Sequence, residues 1–224
     1  ILMLSWYGRR MTKTLKESKA NTIISLGIGH RVISRKIISE LGQQIEKYLI
    51  IEGSPGIVKE FKDNTDMPPY VDVVNSFFET FDTTEKFDVI EMGFVLEHVE
   101  DPLFIIRKYA KYLQPDGSIF IAVPNAKSLH RLIGKKAGML DNIYRLSSHD
   151  LSLGHKRYFD MDSIVKLIIS SGLKIVNIEG NFLKPLSTTQ IKTLNLPPEV
   201  IDSLFLIGIE YPEISNALYI QAAL

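Results

Sequence analysis

The stretch NTIISLGIGHRV, residues 21–32, takes an apolar segment into two glycines, Gly27 and Gly29. Amphipathic residues follow, which is the order expected for a buried strand, a tight turn and a helix. Glycine tolerates positive φ and lets a ligand approach the backbone closely, so the same turn serves ordinary α/β cores and nucleotide sites. The remaining sequence has to distinguish these two interpretations.

The composition of the 224-residue chain limits the classes of protein to which it can belong. Lys and Arg number 26 and Asp and Glu number 26, so no net charge attracts nucleic acid or anionic membrane. The absence of cysteine excludes disulfides, Cys-ligated zinc and thiol nucleophiles. Apolar runs stay shorter than a membrane span. We expect a cytoplasmic protein that acts on a small molecule, without nucleic-acid or membrane partners, and leave a homodimer open.

Short apolar runs alternate with amphipathic stretches, a pattern typical of a mostly parallel sheet covered by helices. It predicts an α/β fold: a Rossmann-like seven-stranded sheet with helices on both faces and an antiparallel last strand. The predicted strands are 22–27, 47–53, 71–76, 87–93, 118–125, 173–180 and 217–223. The predicted helices are 31–45, 55–63, 101–114, 126–140, 160–172 and 197–211.

The chain is predicted to divide into a helical extension over residues 1–20 and one domain over residues 21–224. Two irregular segments, about residues 126–159 and 181–216, interrupt the alternation of strands and helices. Long connections in compact domains are often functional, so both segments are predicted to be lid-like insertions. A turn is predicted at residues 114–117, before the fifth strand.

A carboxylate stands at the end of the second predicted strand. Glu52 lies 23 residues after Gly29, close to the spacing at which an acid suits a ribose diol. Dinucleotide enzymes share this arrangement, but their glycine loop carries a third glycine for the pyrophosphate. This loop lacks it, which favours a ligand with ribose and no phosphates and disfavours the alternative of an NAD(P)-dependent oxidoreductase.

Two later stretches are further motifs that help to identify the class of protein: FDVIEMGFVLEHVEDP at 87–102 and LQPDGSIFIAVPN at 113–125. With the glycine loop and GHKRYFDMDSIVKLIISSGLKI at 154–175, they resemble the class I S-adenosylmethionine-dependent methyltransferases. The resemblance is to the small-molecule group that includes ubiquinone-pathway and sugar methyltransferases, and it covers roughly residues 20–180. It implies S-adenosylmethionine as cofactor and S-adenosylhomocysteine as product.

The resemblance implies cofactor roles at the ends of four strands. These roles fall on Gly27 and Gly29 beside the methionine, Glu52 on the ribose hydroxyls, Gly53, Ser54, Ser76 and Phe77 around the adenine, and Glu91, Met92 and Gly93 under the methionine and sulfonium. The chain departs from the family pattern at Ser25, where the family usually has an acid two positions before the first glycine. The pair His30-Arg31 is also unusual after the second glycine.

Histidines supply the candidate catalytic groups, because an imidazole can accept an acceptor's proton near neutral pH. His155 on the long connection is the first candidate, and His98 in LEHV is the second. His149 and Arg157 are candidates for binding the acceptor. Each of these side chains has a structural alternative, as a cap, a core hydrogen bond or a solvated loop charge. Tight ligand spacing is not evident, so no metal site is predicted.

We therefore expect methyl transfer to a small polar metabolite. The histidines favour an oxygen acceptor over a nitrogen acceptor, and the family analogy suggests a sugar or sugar nucleotide. The alternatives are an N-methyltransferase acting on a small amine or amide, the oxidoreductase named above, and a non-catalytic relative that keeps the fold and binds a partner. Ser25 and the His30-Arg31 pair are the best support for the last alternative.

Overall fold

A computed structural model describes residues 2–29 and 31–224, which form a seven-stranded sheet covered by helices. The strands are β1 Thr22–Leu26, β2 Lys47–Glu52, β3 Val71–Asn75, β4 Phe87–Gly93, β5 Leu113–Pro124, β6 Lys174–Asn181 and β7 Ala217–Ala223. The helices are α1 Leu2–Glu17, α2 Val32–Leu41, α3 Pro55–Asp63, α4 Pro102–Ala110, α5 Leu129–Lys136, α6 Ser148–Ser152, α7 Met161–Ser170, α8 Thr188–Thr193 and α9 Pro198–Glu210. A 3-10 turn, Pro212–Ile214, precedes β7.

The strand order is β3-β2-β1-β4-β5-β7-β6. β7 runs antiparallel to both of its neighbours, whereas β1 to β5 pair in parallel, so the predicted sheet and its antiparallel last strand are confirmed. The chain moves outward from β1 to β2 and β3, and then returns to place β4 on the other side of β1. Ligands of open α/β sheets bind at such a reversal, outside the carboxyl ends of the strands.

Successive residues of the central strands pack on opposite faces of the sheet, as the pleat requires. On β1, Ile23 joins one buried cluster with Tyr48 and Phe120, while Ile24 joins the other with Ile90 and Ile121. Because helices cover both faces, these strands read as continuous apolar runs rather than alternating ones. The two clusters hold the central strands between the helices, and β1, β2 and β4 end at one edge of this packed sheet.

Helix α1 packs on this sheet and is not a loose extension. Tyr7, Met11 and Leu15 on one face of α1 are buried in the cluster that contains Ile23. The division into residues 1–20 and 21–224 stays a prediction. Among the described residues, none of the helices has both the length and the apolar character needed to cross a membrane.

The predicted turn at residues 114–117 is wrong. These residues belong to β5, and the register between β4 and β5 shifts here, from Phe87 opposite Leu113 to Val89 opposite Ser118. A Cβ on Gly117 would lie 2.8 Å from the carbonyl oxygen of Asp88, so glycine lets the bulged segment stay close to β4. The polar composition resembles a turn, but the backbone stays extended.

Sequence reasoning also missed two short helices, α6 and α8, inside the predicted insertions. Each begins with a capping box: Ser147 with Asp150 before α6, and Ser187 with Gln190 before α8. Ser followed three residues later by Asp or Gln is a sequence signal for a helix start, so both were open to prediction. The lid-like role of the two insertions stays a prediction.

Candidate active site

A cavity of about 680 Å³ lies at the carboxyl ends of β1, β2 and β4, where the chain order reverses. Most of the predicted site residues meet there. The predicted residues on its wall are Gly27, Gly29, Glu52, Glu91, Gly93, His98, His149 and His155. A second pocket of about 330 Å³ is lined by Glu52, Gly53, Ser54, Phe77, Phe78 and Glu79. Glu52 contributes to both walls.

The glycine loop after β1 is shaped by positive φ, 87° at Gly27 and 54° at Gly29. The Gly27 amide donates to the Ile51 carbonyl at 2.7 Å, which ties the loop to β2. Glycine adopts these angles without the steric cost that a Cβ would bring. The backbone of the loop can therefore pass close to a ligand in the cavity. His30 lies outside the described residues.

Glu52 joins the glycine loop to the loop after β2. Its Oε2 accepts from the Ile28 amide at 3.1 Å, and its Oε1 accepts from the Ser54 amide at 2.8 Å. Each carboxylate oxygen has a further lone pair, so the group can accept hydrogen bonds from a ligand while keeping these two. Its position is fixed before any ligand arrives.

An exposed aromatic ring marks the second pocket. Phe77 follows the edge strand β3 and has 67% of its surface exposed. A Cβ on Gly53 would lie 3.1 Å from this ring, so glycine permits the close approach. Ser54 caps α3 by accepting from the Ile57 amide. The Ser76 hydroxyl donates to the Phe77 carbonyl and is not among the residues lining either pocket.

A buried acid lies beneath the cavity at the end of β4. Oε1 of Glu91 accepts from the Tyr7 hydroxyl at 2.9 Å and from the Gly93 amide at 2.7 Å. Burial raises the pKa of Glu91 to about 7, against the opposing effect of these hydrogen bonds. A Cβ on Gly93 would lie 2.4 Å from the Tyr7 ring, so α1 can close over β4 only at a glycine. Met92 is fully buried and does not line the cavity.

Ser25, the departure from the family pattern, pairs with this acid across the sheet. It lies opposite Glu91 in the β1–β4 register, and its hydroxyl is 3.1 Å from the Tyr48 hydroxyl. The carboxylate missing from β1 is thus matched by one on the neighbouring strand. Arg31, the other unusual residue, forms an ion pair with Glu60.

Two histidines on the wall of the cavity pack edge to face. The ring centroids of His98 and His155 are 4.7 Å apart, with an angle of 85° between the planes. Burial is the main cause that lowers the pKa of both imidazoles, so both are neutral at neutral pH. His149 lines the same cavity from α6, where it is exposed.

Glu97, which sequence reasoning did not single out, completes this group. Ligand atoms of Glu97, His98 and His155 all lie within 4.8 Å of one another. Glu97 is fully buried, and neither carboxylate oxygen has a hydrogen-bond partner among the described residues. Burial raises the pKa of Glu97 to about 8. Its place beside His98 in LEHV was visible, but the contact with His155 depends on the fold.

Asp150 was also missed. Its Oδ2 accepts from the Ser147 amide and hydroxyl at 2.7 Å, and its Oδ1 accepts from the Tyr158 hydroxyl at 3.0 Å. Oδ1 lies 3.6 Å from Nδ1 of His155, and the His155 amide donates to the Asp150 carbonyl at 3.0 Å. Asp150 therefore holds the chain that carries His155.

Arg157 lies behind the cavity wall rather than on it. Its guanidinium donates to the carbonyl oxygens of Leu96, Val99 and Glu100. These bonds use its donors on backbone, which favours the structural alternative over binding of an anionic acceptor. The neighbouring Lys156 amide donates to the Glu97 carbonyl at 2.8 Å. Together the contacts fasten the segment carrying His155 to the segment carrying Glu97 and His98.

The sheet order and the cavity with its glycine loop, strand-end acid and exposed ring define the class I S-adenosylmethionine-dependent methyltransferases. A family model described as a methyltransferase domain matches residues 7–178, and the chain belongs to this family. The predicted methyltransferase family is thereby confirmed, with S-adenosylmethionine as the cofactor that this family uses, and the oxidoreductase alternative is set aside.

Solved structures share the whole fold at low sequence identity. A methyltransferase from Mesorhizobium loti has a TM-score of 0.63 at 15% identity, covering 92% of both chains. The N-methyltransferase NodS from Bradyrhizobium japonicum, solved with S-adenosylhomocysteine, has a TM-score of 0.60 at 12% identity. The match to NodS covers 96% of this chain and 84% of NodS. At these identities the likeness shows the fold.

Curated relatives match over a shorter region. The ubiquinone biosynthesis O-methyltransferase of Aliivibrio fischeri (strain MJ11) is 32% identical over 108 residues. This match covers 47% of the present chain and 44% of the relative, so the chain spans less than half the length of that protein. The choice of acceptor therefore has to rest on the residues that line this protein's own cavity.

Proposed function

We propose that the protein methylates a hydroxyl oxygen of a small polar metabolite. The observation that supports this proposal is the His98–His155 pair, which lines the same cavity as the end of β4. A hydroxyl benefits from a base, whereas an amine needs only to arrive neutral. The relatives named O-methyltransferases support the same choice. The sugar-type acceptor has no support from the comparisons and stays a prediction, as do the cytoplasmic location and the homodimer.

The residues that would hold the cofactor fit its chemical parts. Glu52 would accept from the ribose hydroxyls, and the exposed ring of Phe77 would stack on the adenine. Glu91 would face the methionine ammonium in place of the acid missing at Ser25, because Glu91 both lines the cavity and lies opposite Ser25. Gly27 and Gly29 would pass beneath the methionine.

The cofactor supplies an activated methyl group: the acceptor oxygen bonds to the methyl carbon while the carbon–sulfur bond breaks and its electron pair stays on sulfur. The chain's own part is to position the acceptor and receive its proton. His155 would take that proton, because burial keeps its imidazole neutral and Asp150 lies beside its Nδ1. His98 is the second candidate for this base.

The test is transfer of a labelled methyl group to a panel of small hydroxyl and amine acceptors. His155→Asn should lower turnover of the hydroxyl acceptor by roughly a hundredfold. Its affinity for S-adenosylhomocysteine should stay within about twofold of the wild type, since the cofactor contacts lie elsewhere. The matched control is His130→Asn, because His130 lies on α5 and is not among the cavity residues. Transfer only to amines, unaffected by His155→Asn, would contradict the proposal.

A further inference from the structure

We propose that Glu97, His98 and His155 bind one divalent first-row transition-metal ion on the acceptor side of the cavity. This deepens the proposed function and rests on it for the role of the ion. The three side chains bring their ligand atoms within 4.8 Å of one another, and all three line the cavity. A single ion can therefore reach one atom from each residue after small side-chain adjustments. The prediction of no metal site considered spacing along the chain, where His155 is remote.

The Glu97 carboxyl group is a buried polar group that requires a partner. Both of its oxygens are buried, without a hydrogen-bond donor among the described residues. Buried polar groups are nearly always paired, and a buried carboxyl group without a partner costs stability whether it is charged or neutral. Ligand nitrogens of His98 and His155 lie within 4.8 Å of a Glu97 oxygen, so two imidazoles are close enough to share an ion with this carboxylate. A bound cation would give the carboxylate a partner and would also accept a lone pair from each imidazole.

The donor set selects the kind of ion. Two imidazole nitrogens and one carboxylate oxygen suit zinc, cobalt, manganese or iron in the divalent state. Magnesium and calcium prefer oxygen ligands throughout, so the set disfavours them. Three protein ligands leave coordination positions open, which is typical of a catalytic metal site rather than a structural one.

The ligands are held by contacts behind them. The Lys156 amide donates to the Glu97 carbonyl at 2.8 Å, and Arg157 donates to three carbonyls of the segment that contains Glu97 and His98. Asp150 lies 3.6 Å from Nδ1 of His155, in the position of the carboxylate that commonly orients a metal-binding histidine. Two segments distant in sequence are thus fixed against each other. This arrangement gives Arg157 a positioning role.

With the ion bound, the acceptor hydroxyl would occupy an open coordination position. A divalent ion lowers the pKa of a coordinated hydroxyl, so its proton can leave to water in the cavity before the methyl transfer. His155 then acts as a ligand and not as the base of the metal-free site. The same oxygen, carbon and sulfur bonds change as in the proposed function, and the ion is neither oxidised nor reduced.

The experiment is titration of the chelator-treated, full-length chain with Co²⁺, followed by the visible absorption of the protein-bound ion and by metal analysis. We expect one Co²⁺ per chain and a higher melting temperature in its presence, because the ion binds only the folded protein. Glu97→Gln and His155→Asn should each weaken Co²⁺ binding by at least about a hundredfold. His130→Asn and Glu100→Gln are the matched controls, a histidine outside the cavity lining and an exposed neighbouring acid, and both should keep the wild-type affinity.

Folding of the key variant can be checked independently. Without metal, Glu97→Gln should melt close to the wild type, since a side chain of nearly the same shape takes the place of the buried acid. Substoichiometric Co²⁺ in the wild type, or equal binding by folded Glu97→Gln, would overturn the metal site. Stoichiometric binding without transfer to any hydroxyl acceptor would count against the proposed function and the role of the ion, while leaving the binding site in place.

Discussion

Replacing Glu52 with alanine should weaken the binding of S-adenosylhomocysteine by at least about tenfold. The carboxylate would accept one hydrogen bond from each ribose hydroxyl, and hydrogen bonds to a charged group contribute about 1.5–3 kcal/mol each. Water in the emptied position recovers part of this. A net loss of about 1.4 kcal/mol, the lower end of the expectation, corresponds to the tenfold change.

The structure adds a second effect of Glu52→Ala. The amides of Ile28 and Ser54 lose their charged acceptor, so the loops after β1 and β2 lose a shared anchor. We expect about 1–2 kcal/mol lower stability, which is a fall of roughly 2–8 °C in melting temperature for a chain of this size. Fluorescence-monitored melting without ligand measures this part separately from the affinity.

The assay is calorimetric titration with S-adenosylhomocysteine at a temperature where the variant stays folded. Glu46→Ala is the matched control, because Glu46 is exposed and precedes the amino end of β2, away from the cavity. It should bind like the wild type. If folded Glu52→Ala also binds with unchanged affinity, Glu52 does not hold the ribose and the assignment of both pockets is wrong.

Three further substitutions test the cofactor site and the residues that stabilise the fold around it. Phe77→Ala should lower affinity for S-adenosylhomocysteine about tenfold and hardly change the melting temperature, because the ring is 67% exposed; unchanged affinity in the same titration would remove it from the adenine site. Burial raises the pKa of Glu91 to about 7, so the folded chain binds more protons than the unfolded chain between about pH 4.5 and 7. Stability should fall as the pH rises through this window, by up to about 3 kcal/mol from Glu91, and urea unfolding should show a shallower fall for Glu91→Gln; an identical slope would contradict the cause. Arg157→Met should lower the free energy of unfolding by about 2–4 kcal/mol while keeping cofactor affinity, and wild-type stability would refute its bridging role.

The sheet was predictable because its central strands are apolar runs. These runs alternate with amphipathic stretches at the spacing of βα units. Glu52 was predictable as well, since its role follows from standing at the end of β2 after a glycine loop. The segment 114–117 was not, because Pro, Asp and Gly indicate a turn whether the backbone reverses or bulges. Local composition does not distinguish the two outcomes.

Contacts between distant segments account for what sequence reasoning missed in the site. Tyr7 donates to Glu91 across 84 positions, and nothing near either residue indicates the pair. Arg157 stands two residues after His155, and its sequence context is the same whether it binds an anion or three backbone carbonyls. Its role therefore depended on the fold. Glu97 was hidden for a similar reason, because its burial and its approach to His155 are tertiary properties.

The most direct test of the account is a crystal structure of the full chain with S-adenosylhomocysteine. We expect the ribose on Glu52, the adenine against Phe77, and the sulfur directed into the cavity toward His98 and His155. A ligand bound with its ribose away from Glu52, or with its sulfur turned from the two histidines, would contradict this expectation.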